Sequence, residues 1–349
     1  MKNFYKGKTV LVTGHTGFKG TWLCQMLLEM GANVIGYALE PATEPALFNL
    51  VKLENKITSY IADIRDIKQL KDVFNEEKPE IVFHLAAQPI VLESYKNPVY
   101  TYETNVMGTV NLLECCRLSS SVKSIVNITT DKVYLNNEWI YGYRENDELN
   151  GYDPYSNSKS CSELVTSSYI KSFLNELKVP VSTCRAGNVI GGGDFSPNRI
   201  VPDCIRAMEK DKKILVRNPN SIRPYQHVLE PLYAYMMIAM KQYQDYQYAG
   251  NYNIGPDDDD CINTGMLATL FCKYWGDGAN WTTKQINGPH EANFLKLDCT
   301  KLKLTFNWKP KTNVKNAIEM TVEWSKAYIA NNDYNAIMRN QINKFLEEQ

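Results

Sequence analysis

A tyrosine and a lysine four residues apart form the first candidate for chemistry in this chain. Tyr155 and Lys159 lie at the start of a predicted helix, and residues at positions i and i+4 of a helix share one face. A free tyrosine has a pKa of about 10 and is a poor base at neutral pH. A neighbouring positive charge favours the phenolate, which can remove a proton from a hydroxyl group. The alternative is a structural pair on the surface of one helical turn.

A second candidate is the polar segment formed by Thr129, Thr130, Asp131 and Lys132. It follows the apolar run Ser124–Ile128, which is predicted to be a buried strand. Ligands of parallel α/β sheets bind at the carboxyl ends of the strands, so a hydroxyl, a carboxylic acid and an amine would meet there. An alcohol dehydrogenase needs only the hydroxyl, and the acid and the base indicate further proton transfers. A polar cap between strand and loop is the structural alternative.

A glycine-rich turn near the N-terminus predicts a dinucleotide site. It lies between a predicted strand and a predicted helix and consists of Gly14, His15, Thr16, Gly17, Phe18, Lys19 and Gly20. The first glycine permits the tight turn, the second lets the backbone approach a pyrophosphate, and the third lets the helix pack on the strand. The helix N-terminus adds N–H donors and the positive end of its dipole. A bound nicotinamide ring would supply a positive charge that also favours the Tyr155 phenolate.

The choice between NAD and NADP depends on the residues after the second and third strands. An acid at the end of the second strand binds the ribose hydroxyls and favours NAD. Glu40 is slightly late for this role, whereas Asp63 follows the third predicted strand and could reach the adenine. His15 is bulkier than a small turn residue. It either loosens the binding of adenosine or is a surface residue of the turn.

A group of arginines in the second half of the chain could hold an anionic ligand. Arg199, Arg206, Arg217 and Arg223 follow the predicted sheet region, with Asn188 close by. Guanidinium groups bind a diphosphate through bidentate hydrogen bonds. Most surface arginines have no such role, so each residue taken singly is equally compatible with a solvated position.

The elements that must position these residues alternate between strand and helix. Predicted strands are Lys8–Thr13, Asn33–Ala38, Ile57–Ile61, Glu80–Leu85, Ser124–Thr129 and Val181–Arg185, and predicted helices are Phe18–Met30, Ile67–Glu77, Thr101–Leu118 and Tyr155–Leu177. This order predicts an α/β fold, a Rossmann-type doubly wound parallel sheet with a smaller, mixed C-terminal lobe. We expect residues 1–186 to form the dinucleotide-binding domain and 187–349 mainly the substrate-binding lobe, with segments near 225–255 returning to the first domain.

Composition excludes several classes of protein. The chain has 38 basic and 39 acidic residues, so it lacks the basic surplus of nucleic-acid-binding proteins. The nine cysteines include no C-x-x-C pair, which favours reduced, buried thiols. The acidic run Asp257–Asp260 favours a solvated loop over a metal site. No apolar run is long enough to span a membrane and no signal peptide is evident, so we expect a cytoplasmic protein without a bound metal.

Together the motifs resemble the extended short-chain dehydrogenase/reductase superfamily, and within it the CDP-glucose 4,6-dehydratases. The resemblance covers nearly the whole chain. It is carried by GHTGFKGTWL, GYALEPATEPALF, FHLAAQPIV, TNVMGTVNLLE, TTDKVY, YGYRENDELNGYDPYSNSKS, RAGNVIGGGDF, SIRPYQHVLEP and PHEANFLKLD. TDK in place of the TDE of related dehydratases is a fairly specific mark of this group, as is RAGNVIGGGD.

The resemblance implies a redox-neutral mechanism with NAD as cofactor. Tyr155 would deprotonate the sugar 4-hydroxyl, Thr130 would hydrogen-bond to it, Lys132 would remove the C5 proton, and Asp131 would protonate the departing 6-hydroxyl. The product would be a 4-keto-6-deoxy sugar. NAD would be bound by the turn residues Gly14 to Lys19 and by Asp63, Ile64, Leu85, Ala86, Ala87, Asn105, Tyr155 and Lys159. The nucleotide-sugar substrate, CDP-glucose by resemblance, would be bound by Asn188, Arg199, Arg223, His227 and His290.

The resemblance also implies a homodimer, joined through a four-helix interface formed by Thr101–Leu118 and Tyr155–Leu177 of each subunit. The chain departs from the family at Leu92-Glu93, Leu135 and Tyr225, where an arginine, an aspartate and a tryptophan are usual. Two alternatives stay open. A sugar-nucleotide 4-epimerase or reductase would need the Tyr155/Lys159 pair without Asp131 and Lys132, and a non-catalytic dinucleotide sensor would need the glycine turn alone.

Overall fold

A seven-stranded parallel sheet forms the centre of the molecule in a computed structural model, which describes residues 1–283 and 295–347. The strands in these residues are β1 (Thr9–Thr13), β2 (Asn33–Ala38), β3 (Thr58–Ile61), β4 (Ile81–His84), β5 (Ser124–Ile128), β6 (Val181–Ala186), β7 (Val189–Ile190), β8 (Ile214–Val216), β9 (Ile222–Pro224), β10 (Gln226–His227), β11 (Asn251–Ile254), β12 (Cys261–Asn263) and β13 (Trp281–Thr283). The sheet order β11-β6-β5-β4-β1-β2-β3 confirms the predicted Rossmann-type topology.

Helices cover both faces of this sheet. The α-helices are α1 (Lys2–Tyr5), α2 (Phe18–Glu29), α3 (Leu47–Leu50), α4 (Ile67–Glu77), α5 (Val91–Lys96), α6 (Pro98–Tyr102), α7 (Gly108–Leu118), α8 (Pro154–Tyr169), α9 (Ile200–Glu209), α10 (Leu229–Gln244), α11 (Thr264–Trp275), α12 (Thr300–Phe306), α13 (Val314–Ile329) and α14 (Tyr334–Glu347). Short 3-10 turns span Leu53–Asn55, Asp131–Val133, Tyr246–Tyr248 and Asp258–Asp260, and π turns span Glu103–Met107 and Ile170–Leu174. None of the helices in the described part of the chain is both long and apolar enough to cross a bilayer.

Alternate residues of each central strand enter two different cores. In β1, Val10 and Val12 pack into a cluster with α2 and α10, whereas Leu11 packs into a cluster with α4 and α7 on the other face. Successive side chains of a strand point to opposite faces, so a strand covered on both sides is apolar throughout. Helices on both faces therefore explain why these strands are continuous apolar runs in the sequence.

The predicted strands and helices of the first half are present with small differences at their ends. Helix α8 begins at Pro154 because Asp153 caps it: the Ser156 N–H donates to Asp153 Oδ1 over 3.0 Å. The same stretch continues beyond Tyr169 as a π turn and stops before Lys178, whose φ of 54° is left-handed. Tyr155 is thereby fixed in the first turn of α8.

Within the described residues, three two-stranded sheets, β7/β10, β9/β12 and β8/β13, lie outside the central sheet. They surround a separate apolar cluster with α9, α11 and α13. Strand β11, from the later part of the chain, pairs with β6 in the central sheet. The boundary between the two lobes near residue 186 stays a prediction.

Candidate active site

The carboxyl ends of four neighbouring strands bring the predicted site residues to one edge of the sheet. Strands β6, β5, β4 and β1 are adjacent and parallel. The glycine turn follows β1, Leu85 to Ala87 follow β4, the catalytic segment follows β5, and Asn188 follows β6. Ligands of doubly wound sheets bind at this edge. The topology thus gathers residues that are far apart in sequence.

The glycine turn is held by close backbone contacts that only glycine allows. Gly14 has φ of 77°, and a Cβ on it would lie 2.8 Å from the backbone N of Ala86. A Cβ on Gly20 would lie 2.1 Å from the carbonyl oxygen of Gly14. By contrast, a Cβ on Gly17 would lie at 3.4 Å from Gly14 O, an ordinary contact. Gly17 is exposed and precedes the first turn of α2, where no side chain of the described residues caps the helix.

This turn fits the pyrophosphate of a dinucleotide. The uncapped N–H groups at the start of α2 need acceptors, and an anion supplies them while meeting the positive end of the helix dipole. Thr16 ties the turn to the end of β2, because its Oγ1 donates to Leu39 O over 2.8 Å. Phe18 and Lys19 form the first turn of the helix, and both are half-buried. Burial, and then the charge of Arg199, lower the pKa of Lys19 to about 8.

His15 lies in the interior of the protein, so the surface alternative for this residue is wrong. Its ring is buried, and a Cβ on Gly36 would lie 2.4 Å from it. The Nε2 atom hydrogen-bonds to Ser59 Oγ over 2.7 Å, and the ring meets Phe48 edge-on. Burial lowers the pKa of His15 to about 4, so the ring is neutral at physiological pH. The glycine in β2 makes room for this imidazole.

Three predicted cofactor residues have hydrogen-bonding or packing roles within the chain. Both N–H groups of the Asn105 amide are used, by Gln88 O and Ser158 Oγ, and its oxygen accepts from Gln88 N. The carboxylate of Asp63 binds the guanidinium of Arg65 over 2.7 Å, and this ion pair lowers the pKa of Asp63. Ile64 is buried in the core between α4 and α7. Asn105 therefore holds the loop after β4, and contact of these side chains with the cofactor stays a prediction.

Tyr155 and Lys159 are both buried at the start of α8, so the alternative of a surface pair is wrong. They are 8% and 5% exposed. Burial raises the pKa of Tyr155 to about 12, and the nearby Thr130 side chain opposes the rise. Burial, followed by the charge of Lys19, lowers the pKa of Lys159 to about 8, and Lys159 Nζ donates to Ile128 O over 3.2 Å. The polypeptide alone favours the phenol, and the phenolate needs a further positive charge nearby.

The segment after β5 places its hydroxyl and carboxyl groups beside Tyr155. Thr130 and Asp131 are buried, and Thr130 Oγ1 donates to Asp131 Oδ1 over 3.0 Å. The other carboxyl oxygen, Oδ2, is buried without a hydrogen-bond partner among the described residues. Lys132 is half-buried and follows in the 3-10 turn Asp131–Val133. An acid therefore lies near a tyrosine that can exchange a proton, and Lys132 follows that acid in the same 3-10 turn.

The arginines divide into two sets. Arg199 forms an ion pair with buried Asp194 over 3.2 Å, and its charge influences both Tyr155 and Lys19. Arg223 is buried at 2% exposure and donates to Ile222 O. Asn188 is half-buried after β6, and its carbonyl accepts from Gln226 N over 3.1 Å.

The second set lies along α9 and the strand after it. Arg206 and Arg217 both form ion pairs with Asp203. Their other hydrogen bonds among the described residues go to Phe195, Ser196 and Asn198, away from the glycine turn and the catalytic segment, so they are poorer candidates for diphosphate binding. The acidic run is also explained locally: Asp257 pairs with Lys303, and Asp260 accepts from the N–H of Val314.

His227, which the sequence analysis assigns to substrate binding, lies in the core, and its contact with the substrate stays a prediction. The ring is entirely buried and meets Trp22 of α2 edge-on. Burial lowers its pKa to about 3, so it is a neutral core residue. His290 lies outside the described residues.

Two buried charged residues beneath the site were missed by the sequence analysis. Glu163, one helical turn after Lys159, binds Arg185 of β6 with Nη2 and Oε2 2.8 Å apart. Their side chains are 2% and 1% exposed. A signal was present: an arginine in the otherwise uncharged run Val181–Ala186 requires a buried partner, and a glutamate four residues after Lys159 lies on the same face of α8.

Comparisons with known proteins agree with this arrangement. The model of the GDP-mannose 4,6 dehydratase family matches residues 11–321. The CDP-glucose 4,6-dehydratase of Salmonella typhimurium is 47% identical, over 99% of this chain and 98% of that protein.

Solved structures support the fold. The UDP-glucose 4-epimerase of Thermotoga maritima, solved with UDP-glucose, superposes with a TM-score of 0.81 at 23% identity, over 92% of this chain and 99% of that one. The dTDP-glucose 4,6-dehydratase of Bacillus anthracis, solved in complex with NAD, superposes with a TM-score of 0.75 at 22% identity, over 92% and 97%. At these identities the likeness establishes the fold alone.

Proposed function

The chain belongs to the GDP-mannose 4,6 dehydratase family, and we propose that it is an NAD-dependent enzyme that converts CDP-glucose to CDP-4-keto-6-deoxyglucose. The observation that carries this proposal is the hydrogen bond from Ser160 Oγ to Val133 O over 2.7 Å, since it joins the acid–base segment after β5 to the helix of the catalytic pair, α8. The 47% identity to a CDP-glucose 4,6-dehydratase supports the choice of nucleotide.

The cofactor is held, in this proposal, by the turn from Gly14 to Lys19 and by Lys159. The glycine backbone and the start of α2 bind the pyrophosphate, and the ammonium of Lys159 binds ribose hydroxyls while its charge favours the Tyr155 phenolate. When bound, NAD would supply the hydride transfer between C4 and C6 of the sugar.

The side chains then move protons in a fixed order. Tyr155 removes the proton of the 4-hydroxyl, to which Thr130 also hydrogen-bonds. The resulting 4-keto group acidifies the C5–H bond, and the amine of Lys132 removes that proton. Asp131 protonates the 6-hydroxyl, which leaves as water. The C5 proton finally returns from Lys132, and the proton taken up by Tyr155 replaces the one that Asp131 gave to the leaving water. The sugar therefore loses one water molecule and the reaction is redox-neutral overall.

The substrate is held mainly by the second lobe in this proposal. We assign residues 187–349 mainly to that lobe, with the β11 region belonging to the dinucleotide-binding domain. Arg199 and Arg223 are, in this proposal, the residues that bind the diphosphate, with Asn188. Asp194 fixes the direction of Arg199 through their ion pair.

We also propose that two copies of the chain form a dimer through α6, α7 and α8. A shallow apolar groove is lined by Val99, Tyr102, Val106, Met107 and Cys161. Val99 is 69% exposed, and Leu164 on the neighbouring helix is 56% exposed. Exposed apolar side chains of this size favour an interface. Leu164→Glu should convert the dimer to a monomer in light scattering coupled to size exclusion, and an unchanged mass would contradict the interface.

The function is tested by incubating the purified protein with NAD and a panel of CDP-, dTDP-, UDP- and GDP-linked sugars, with products read by mass spectrometry. Loss of one water from CDP-glucose without net reduction of NAD is the expected result. An unchanged mass with a changed sugar configuration would assign the chain to the 4-epimerases. Bound NAD without turnover of any substrate would favour a dinucleotide sensor.

A further inference from the structure

One buried ion pair holds the catalytic segment at both of its ends. At the first end, Thr129 Oγ1 donates to Glu163 Oε1 over 2.6 Å. At the other end, Arg185 Nη1 donates to the hydroxyl of Tyr134 over 2.7 Å, and the guanidinium lies 5.0 Å from the centre of the Tyr134 ring. The residues proposed for acid–base chemistry, Thr130 to Lys132, lie between these two contacts.

The ion pair has the hydrogen bonds that its burial requires. Arg185 Nε donates to Glu163 Oε1 and Nη2 donates to Oε2, both over 2.8 Å. Thr183 Oγ1 donates to Glu163 Oε2 over 2.7 Å. Burial disfavours a charged guanidinium, but the hydrogen bonds to Glu163 raise the pKa of Arg185 above its ordinary value. A buried pair in this state has one arrangement and resists displacement.

The same pair connects the catalytic segment to the helix of Tyr155 and Lys159. Tyr155, Lys159 and Glu163 follow one another at four-residue spacing on α8, so they share a face. A third tie runs from α8 to the segment, because Ser160 Oγ donates to Val133 O over 2.7 Å. The distance between the tyrosine and the acid–base residues is therefore set by contacts beneath them.

We propose that Glu163 and Arg185 are positioning residues for the elimination step, holding Asp131 and Lys132 in register with Tyr155. This rests on the proposed function. In this proposal neither Glu163 nor Arg185 transfers a proton. Misplacement of an acid or a base by a fraction of an ångström slows proton transfer strongly, whereas binding of the substrate depends on other groups.

The two threonines on Glu163 offer a matched pair for the test. Thr129 and Thr183 are both buried, and each donates one hydroxyl to the same carboxylate. Thr183 lies in β6, and its hydroxyl bonds to Glu163 and Asn251, while Thr129 directly precedes Thr130. Valine has the shape of threonine, so each substitution removes the hydrogen bond to Glu163 together with one further contact of the hydroxyl, to Cys184 O for Thr129 and to Asn251 Oδ1 for Thr183. Both substitutions leave the Glu163–Arg185 pair in place.

The experiment compares Thr129→Val and Thr183→Val as full-length holoenzymes with NAD and CDP-glucose. We expect similar falls in melting temperature for both. Thr129→Val should lower kcat for loss of water by about tenfold or more, with KM changed by less than about twofold, while Thr183→Val stays within about twofold of wild type in both. The exchange of the C5 proton with solvent should fall more than C4 oxidation in Thr129→Val only.

Tyr134→Phe extends the test to the Arg185 end, with Tyr143→Phe as its control. The Tyr143 ring stacks on Tyr134 at 5.2 Å, but its hydroxyl contacts Asn136 and Asn137. Tyr134→Phe should share the loss of C5 exchange, and Tyr143→Phe should not.

Equal losses of kcat in Thr129→Val and Thr183→Val, or an effect confined to KM, would overturn the positioning role. The proposed function would still stand in that case, provided that the wild-type protein dehydrates CDP-glucose. A wild-type protein that releases no water from any nucleotide sugar of the panel would overturn the proposed function, and the positioning role with it.

Discussion

The dinucleotide side and the catalytic side of the site are built in different ways. The dinucleotide side is mainly backbone: seven consecutive residues, Gly14 to Gly20, form a turn and the start of a helix without a side-chain cap. The catalytic side is mainly side chains from three elements, β5, α8 and β6, joined through the Glu163–Arg185 pair. The first side depends on close approach of the backbone, and the second depends on buried charges and hydroxyls.

This difference predicts how each side responds to mutation. Loss of a glycine on the dinucleotide side should change binding of NAD, because backbone N–H groups make the contacts. Loss of a side chain on the catalytic side should change the rate of a chemical step, because binding and chemistry use different groups there. Lys159 lies between the two sides, so its loss should change both the binding of NAD and the rate of the chemical step.

The largest expected effect is that of Tyr155→Phe. This variant keeps the ring that packs at the start of α8 and removes the hydroxyl that lies near Thr130. We expect kcat to fall by about 10²–10⁴-fold, the range of a lost general base. Steady-state kinetics with CDP-glucose measure it. Tyr246→Phe, which removes an exposed hydroxyl bonded to Asn175, should leave kcat at the wild-type value. A change in KM with an unaltered kcat would mean that Tyr155 contributes to binding and not to the chemical step.

Lys132→Ala should separate the steps within the catalytic side. If Lys132 removes the C5 proton, exchange of that proton with solvent should fall by about 10²-fold or more, and C4 oxidation should change by less than about threefold. Deuterium incorporation at C5 and nicotinamide absorbance in a single turnover measure the two steps. Lys123→Ala changes an exposed lysine before β5 and should affect neither. Equal losses in both steps would remove Lys132 as the base.

The dinucleotide side could be predicted from the sequence because its determinants are local. The strand, glycine turn and helix are consecutive, and the apolar run of β1 identifies a strand covered on both faces. Tyr155 and Lys159 were found for the same reason, since i and i+4 spacing fixes their common face.

The supports of the catalytic side are non-local and could be predicted only in part. Glu163 binds Thr129 and Arg185, which come from two other elements, and no spacing rule joins the three. His227 looks like a ligand in a polar motif, but its partner in the core, Trp22, comes from the far end of the chain. Which polar residue faces a ligand and which faces the core is decided by the packing of helices on the sheet.

Lys159→Met tests the residue between the two sides through the pH dependence of stability. Burial lowers the pKa of Lys159 from 10.5 to about 8, so the unfolded chain binds this proton more tightly than the folded chain. The cost of holding the charge is fully present below pH 8 and is lost as pH rises toward 10.5. Methionine has a similar length and no charge. The variant should therefore be more stable than wild type at pH 7, by at most about 3 kcal/mol, and inactive.

The measurement is chemical denaturation of wild type and Lys159→Met at several pH values between 7 and 10.5, the range of the shift. The stability difference should shrink as pH rises. The lost hydrogen bond to Ile128 O reduces the gain at every pH by about 1 kcal/mol. Lys171→Met, which changes an exposed lysine of the π turn after α8, should follow the wild-type curve. A difference independent of pH would mean that the Lys159 charge costs nothing in the folded state.

The smallest expected effect, that of Gly17→Ala, isolates the dinucleotide side. A Cβ on Gly17 meets only Gly14 O at an ordinary 3.4 Å, and the φ of −78° suits alanine. The fold should therefore lose less than about 1 kcal/mol. The added methyl group lies where the backbone must approach the pyrophosphate, so the Kd for NAD should rise by about tenfold, or 1.4 kcal/mol.

Calorimetric titration with NAD gives the Kd of Gly17→Ala, and thermal unfolding gives its stability. Gly250→Ala is the matched control, since a Cβ there makes ordinary contacts at 3.5 Å, remote from the site, before β11. An unchanged Kd in Gly17→Ala would mean that the pyrophosphate is bound by side chains as well, and the division between a backbone side and a side-chain side would no longer hold. A raised Kd with normal C5 exchange at saturating NAD would support that division, because the chemistry would then be intact once the cofactor is bound.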